Sequence, residues 1–221
     1  TIYIVRHGQT EWNLLGKTQG HGNSDLTPKG IEQAELLADS MTKYPIDYIY
    51  SSDLGRAYQT AEIIGNKLNI EVERTEALRE MNFGTWEGRI IKDIIGEDPE
   101  LYKMWRNEPH LAKIPQGETL SQIKERTDAF IKEINEKYDG KHIVLVTHSL
   151  CARIMLLSFL DSDVKNIYRI NQANTALNII ELRDYGPVVM KMNDTTHIIN
   201  DTKLENSALA VSYTHLTLPT N

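Results

Sequence analysis

An α/β fold, with a mostly parallel central sheet and helices on both faces in three layers, is predicted by three features of this sequence. Short β-branched runs alternate with amphipathic stretches of helix length along most of the chain. The two most apolar runs, Ile2-Tyr3-Ile4-Val5 and Ile143-Val144-Leu145-Val146, show no polar alternation, as befits strands covered on both faces. Each stops abruptly at a polar cluster, the pattern of strands whose carboxyl ends share one ligand-binding edge.

In order along the chain, residues 2–5 read as a first buried strand running into Arg6-His7-Gly8-Gln9-Thr10-Glu11-Trp12-Asn13. After the turn-rich residues 20–25, a helix begins with Thr27 as N-cap and Pro28 in its first position. Ile31, Ala34, Leu37, Ala38 and Met41 share its apolar face, and Pro45 stops it. A second strand is expected over residues 46–50. The helix after it turns Ala57, Ala61, Ile64 and Leu68 inward, and a third strand over 70–73 follows. Residues 78–115, broken by Gly84, Gly88, Gly96, Pro99 and Pro109, read as an inserted lid or selectivity segment. Residues 119–138 form a long amphipathic helix with Ile123, Phe130, Ile131 and Ile134 as its stripe, and residues 142–147 a buried strand. His148-Ser149 opens another helix, and two strands over 176–182 and 188–192 complete a domain spanning residues 1–199. Residues 200–221 are read as a C-terminal tail. From Ala208 onward no side chain is charged, and residues 212–220 look like a sequencing-adaptor read-through, so the tail is taken as partly non-native and His215 is set aside with it.

With 221 residues the chain can bury a sizeable core, and 25% charged residues are ordinary for a globular protein. A net charge of −7 argues against general affinity for nucleic acid or an anionic membrane, so an anionic ligand must be held by locally clustered cations. The single cysteine, Cys151, excludes an internal disulfide framework and reads as a packed thiol. That usage, the lack of a long apolar run and the lack of a signal peptide before the first strand place the chain in the cytoplasm by expectation. A homodimer is left open. No His, Asp or Glu grouping has metal-ligand spacing.

Four polar clusters carry the chemistry. Arg6-His7-Gly8 offers an imidazole nucleophile, a fixed charge and a backbone without a Cβ, although the tripeptide alone reads first as a strand-end turn with a capped histidine. Ser51-Ser52-Asp53-Leu54-Gly55-Arg56 puts a cation in the first turn of a helix, a placement that calls either for a pair with Asp53 or for a bound anion. Val146-Thr147-His148-Ser149 supplies a second histidine at a second strand end. Leu78-Arg79-Glu80 through Trp86-Glu87-Gly88 supplies carboxylates in a loop with aromatic residues. His21, His110 and His142 read as surface or loop residues, and Trp12 and Trp105 as packing residues.

On these motifs the chain resembles the histidine phosphatase superfamily, the cofactor-dependent phosphoglycerate mutase-like proteins. Arg6-His7-Gly8, residues 52–61, residues 78–88, residues 115–119 and Val146-Thr147-His148 carry the likeness, which spans about residues 1–199. The resemblance implies a phosphoglycerate mutase-like fold and a phosphohistidine formed on His7. It implies a phosphate pocket of Arg6, Arg56 and His148, with Glu80 as general acid, kept neutral against Phe83 or Trp86. Thr10, Asn13, Gln19 and Gly20 match positions at the substrate mouth of relatives, and Ser149 stands where many members have glycine. It further implies that no metal or cofactor is needed and that the partner is a small-molecule phosphomonoester. The compact segment after Glu80, with Arg89, Lys92, Lys103, Arg106 and Lys113 as its only cations before Gly117, favours water as acceptor. The block is similar to α-ribazole and broad-specificity phosphatases. A phosphoglycerate mutase and a binding module that has lost turnover are the alternatives.

Overall fold

The computed structural model describes residues 1–198, so the tail read from residue 200 onward lies outside the described residues. Six strands form one mixed sheet. They are β1 (Ile2–Arg6), β2 (Tyr48–Ser52), β3 (Val72–Thr75), β4 (Ile143–Thr147), β5 (Leu177–Arg183) and β6 (Gly186–Asp194), in the order β3-β2-β4-β1-β5-β6. The first four in that order are parallel to their neighbours, whereas β5 and β6 run antiparallel as a hairpin beyond β1. The central pair is in register from Ile2 opposite Ile143 to Arg6 opposite Thr147. Their carboxyl ends therefore deliver His7 and His148 side by side.

Helices cover both faces, as the unbroken apolar runs require. Along β1, Tyr3 and Val5 pack with Leu37, Met41, Ala57, Ala61 and Ile64 of α2 (Pro28–Met41) and α3 (Gly55–Leu68). Ile2 and Ile4 face the other core, with Ile123, Ile134, Ile154 and Leu157 of α6 (Leu120–Lys137) and α7 (Ser149–Phe159). Between them in sequence, α4 (Ile91–Glu97) and α5 (Pro99–Asn107) belong to that second layer, and a short α1 (Glu11–Leu14) follows the first strand.

Several boundaries differ from the sequence reading; β5 and β6 run Leu177–Arg183 and Gly186–Asp194 against the expected 176–182 and 188–192, and three others have a visible cause. The second strand starts at Tyr48, because Asp47 is tied to His142: it donates its N–H to the His142 carbonyl and accepts the His142 N–H on its carboxylate. The same tie moves the start of β4 to Ile143. The third strand runs two residues later than expected, since Asn69 ends α3 in the left-handed region and the Ile70 N–H returns to the Gly65 carbonyl. The segment 78–115, read as an inserted lid or selectivity segment, packs into the main core and sends Glu80 and Phe83 to the cavity. Phe83, Trp86, Tyr102 and Trp105 lie in the same core as β1 and β4, with Trp105 fully buried and edge-on to Phe83.

Gly8 is where the fold meets the site. A Cβ there would collide with the Gly30 carbonyl oxygen at the start of α2, and a Cβ on Gly30 would collide with Gln9. The two glycines let the loop after β1 lie directly on a helix. Gly8→Ala should therefore lower unfolding stability by about 3 kcal/mol or more, read by urea denaturation. Stability within about 0.5 kcal/mol of the parent would show that this close approach is not required.

Candidate active site

The backbone of His7 is held from three directions. Its N–H donates to the Thr147 carbonyl, and its carbonyl accepts the Thr175 N–H and the Asn174 Nδ2 group. The ring is set by one further bond, between Nδ1 and the Gly8 carbonyl at 2.7 Å. A carbonyl only accepts, so Nδ1 carries the proton and the neutral ring keeps its lone pair on Nε2. The side chain is 3% exposed. Burial, followed by the charges of Arg56 and Arg6, holds His7 well below the usual imidazole value.

His148, wholly buried, lies behind it with ring centroids 5.2 Å apart. Its Nε2 shares a hydrogen with the Ser52 hydroxyl at 2.8 Å, and its Nδ1 is buried without a partner. Burial and then Arg56 hold this imidazole, too, well below its usual value.

Two guanidinium groups flank the pair. Arg6 donates Nη1 to the Gln172 carbonyl, and Arg56 donates Nη1 and Nη2 to the carbonyls of Gly22 and Gly20. The Asp53 partner weighed for Arg56 is taken elsewhere: Asp53 accepts the Arg79 Nε at 2.7 Å. Both Arg6 and Arg56 keep a buried Nε–H without a partner. Burial pulls Arg6 down to about 9 and Arg56 to about 10, which leaves both cationic at neutral pH. Charged donors fixed by backbone carbonyls, yet with a buried N–H unused, make a site for an oxyanion.

Glu80 faces this group from a loop tied down at several points. Thr147 donates its hydroxyl to the Leu78 carbonyl, and Arg126 donates to the carbonyls of Ala77 and Glu80 and to Glu118. The Glu80 oxygens accept the N–H groups of Met81, Leu150 and Cys151, so this carboxyl occupies the first turn of α7. Backbone donors, rather than the Phe83 or Trp86 ring expected from sequence, surround its oxygens. Ser149 is the first residue of α7, with His148 at the N-cap.

Arg6, His7, Arg56, Glu80 and Ser149 line one cavity of about 40 Å³, together with Asn13, Gln19, Gly20, Lys17, Thr18 and Phe83. That is room for a few water molecules, the size of a phosphoryl group. Thr10 is not in the lining. Its buried hydroxyl accepts the Asn13 N–H and the Gln19 Nε2 group, capping α1 and supporting the mouth from behind. Lys17, Thr18, Ser52 and Asn174 were missed by the sequence reading. Only Ser52 lay inside a motif; the others reach the site through loop folding. Cys151 is a packed thiol whose pKa burial pushes up to about 11.

A family model described as the histidine phosphatase superfamily (branch 1) matches residues 2–195. Phosphoserine phosphatase 1 of Hydrogenobacter thermophilus is 31% identical over 197 residues, covering 89% of this chain and 93% of that protein. A probable phosphoglycerate mutase GpmB of Yersinia pestis is 32% identical over 202 residues, covering 89% and 94%. Among solved structures, YhfR of Bacillus stearothermophilus superposes with a TM-score of 0.85 at 29% identity, covering 89% of this chain and 98% of that one. A putative α-ribazole-5′-P phosphatase from Escherichia coli gives 0.81 at 26%, covering 88% and 96%.

The buried imidazoles tie stability to pH. His7, His148 and His197, the last held at about 4 by burial and bonded to Thr175, are protonated far more readily in the unfolded chain. The folded values lie below the unfolded one, so their contribution is complete above about pH 6.5 and is lost as pH falls below it. Urea unfolding in a phosphate-free buffer should show stability declining below about pH 6.5, by at most about 1.4 kcal/mol per pH unit for each group. His197→Asn should make that decline shallower, and an unchanged slope would contradict the assignment.

Proposed function

The chain belongs to branch 1 of the histidine phosphatase superfamily and is a phosphatase of the histidine type; from that premise we propose that it hydrolyses phosphomonoesters of small metabolites through a phosphohistidine on His7. The observation that carries this reading is the hydrogen bond from His7 Nδ1 to the Gly8 carbonyl, which leaves Nε2 bare between two buried guanidinium groups. Arg6 and Arg56 hold the phosphoryl oxygens with charges that do not titrate away near neutrality. His148, edge-on to the His7 ring and bonded through Nε2 to the Ser52 hydroxyl, supports the nucleophile from behind.

In the first step Nε2 attacks phosphorus, the N–P bond forms and the ester P–O bond breaks. The departing oxygen takes a proton from Glu80. In the second step water attacks phosphorus while the Glu80 carboxylate accepts its proton. The N–P bond then breaks, the electron pair returns to Nε2, and inorganic phosphate leaves.

Water as the acceptor is supported by the walls of the cavity. None of Arg89, Lys92, Lys103, Arg106 and Lys113 lines it; Arg89 pairs with Glu97, and Arg106 lies over the Tyr168 ring. The likeness to the Yersinia mutase supports the other reading, in which the phosphoryl group returns to a bound acid. The likeness to proteins described as phosphoserine and α-ribazole phosphatases supports hydrolysis of small esters.

Purified protein should release p-nitrophenol from p-nitrophenyl phosphate in the presence of EDTA, and His7→Ala should lower kcat at least 10³-fold. Undiminished turnover in that variant would overturn the assignment, and an inactive parent across a broad pH range would favour a binding module. Given 3-phosphoglycerate and 2,3-bisphosphoglycerate, the protein should make free phosphate with little 2-phosphoglycerate. Rapid equilibration of the two monophosphates would instead identify a mutase.

A further inference from the structure

Away from Arg6, His7 and Arg56 the lining of the cavity changes character. Arg6 and Arg56 at the base are 2% and 1% exposed, whereas Lys17 is half-buried. Its backbone is fixed on both sides, by its own N–H to the Trp12 carbonyl and by the Thr18 N–H to the Arg89 carbonyl. Its ammonium lies 5.6 Å from the centre of the Trp12 ring, which packs along Gly88. Among the described residues no carboxylate pairs with it, in contrast to Arg79, Arg89 and Arg126 in the walls nearby.

Charge bookkeeping gives this lysine a role. Among the residues that line the cavity, Arg6 and Arg56 match the two charges of a phosphate dianion, and Lys17 is a further cation beside them. A single ammonium matches one negative charge; a second phosphate dianion would call for several donors. Resting on the hydrolase reading above, we propose that Lys17, seated on Trp12, sets substrate preference by pairing with a carboxylate on the carbon skeleton of the phosphomonoester. Asn13 and Gln19, which line the same mouth, supply the polar surroundings of that pair.

The test compares O-phosphoserine with its methyl ester, which keeps the phosphate and the skeleton and removes the carboxylate charge. The parent should prefer the acid in kcat/KM, chiefly through KM. Lys17→Met, which keeps the length that packs on Trp12, should reduce that preference about fivefold to tenfold, and Lys17→Arg should retain it. Reading the ratio of the two esters cancels any general loss from a disturbed pocket. Equal hydrolysis of acid and ester by the parent, or a preference unchanged in Lys17→Met, would overturn the inference while leaving the hydrolase reading intact. A parent that hydrolyses neither ester nor p-nitrophenyl phosphate would remove both.

Discussion

An excess of buried positive charge is the constraint on which the rest of this molecule depends. Arg6, Arg56 and Arg153 are each at least nine-tenths buried, within one electrostatic neighbourhood, where Glu80 acts on all three and Glu87 on Arg56. Burying cations without counter-charges costs several kcal/mol per ion, and the fold meets this with backbone carbonyls, those of Gln172, Gly20 and Gly22, rather than with acids. Burial, reinforced by these charges, falls hardest on the weaker bases. Guanidinium groups stay charged, while the two histidines between them give up their protons, and a neutral imidazole beside fixed cations is what attack on a phosphate dianion requires.

Keeping that arrangement in place occupies much of the sheet. Parallel pairing of β1 with β4 sets the two imidazoles beside each other, and Gly8 lying against Gly30 lets the first loop reach the pocket without a kink. The wall bearing Glu80 is fastened by Thr147 and by the Arg126–Glu118 pair, and behind it an aromatic core from Phe83 to Trp105 belongs to the main body of the domain. Rigidity here has a chemical purpose: donors already aimed at the phosphoryl oxygens need no rearrangement during the reaction.

The layered fold, and the meeting of Arg6, His7, Arg56 and Glu80 at one cavity, were legible because their signals are local. Unbroken apolar runs mark doubly covered strands, and a histidine at the end of such a run is carried to the sheet edge by topology alone, as with His7 and His148, while Arg56 is delivered by the first turn of α3. What escaped was set by contacts distant in sequence. Asp53 turned to Arg79 because Arg56 found carbonyls 34 and 36 residues away. Glu80 found its N–H donors on a helix 70 residues later, which no reading of its own loop reveals. Thr10 and Asn13 looked alike as mouth residues, yet only Asn13 lines the cavity, since the Thr10 hydroxyl is spent on capping α1. The strand starts at Tyr48 and Ile143 depend on one exchange between Asp47 and His142, almost a hundred residues apart.

The claim that the Gly8 carbonyl selects the attacking nitrogen is tested most directly by trapping the intermediate. Brief reaction with a ³²P-labelled phosphomonoester, alkaline quenching and peptide mapping should place the label on His7, with ³¹P and ¹⁵N spectra of the phosphopeptide assigning it to Nε2. Label on Nδ1, on His148, or on no histidine at all during active turnover would contradict the account.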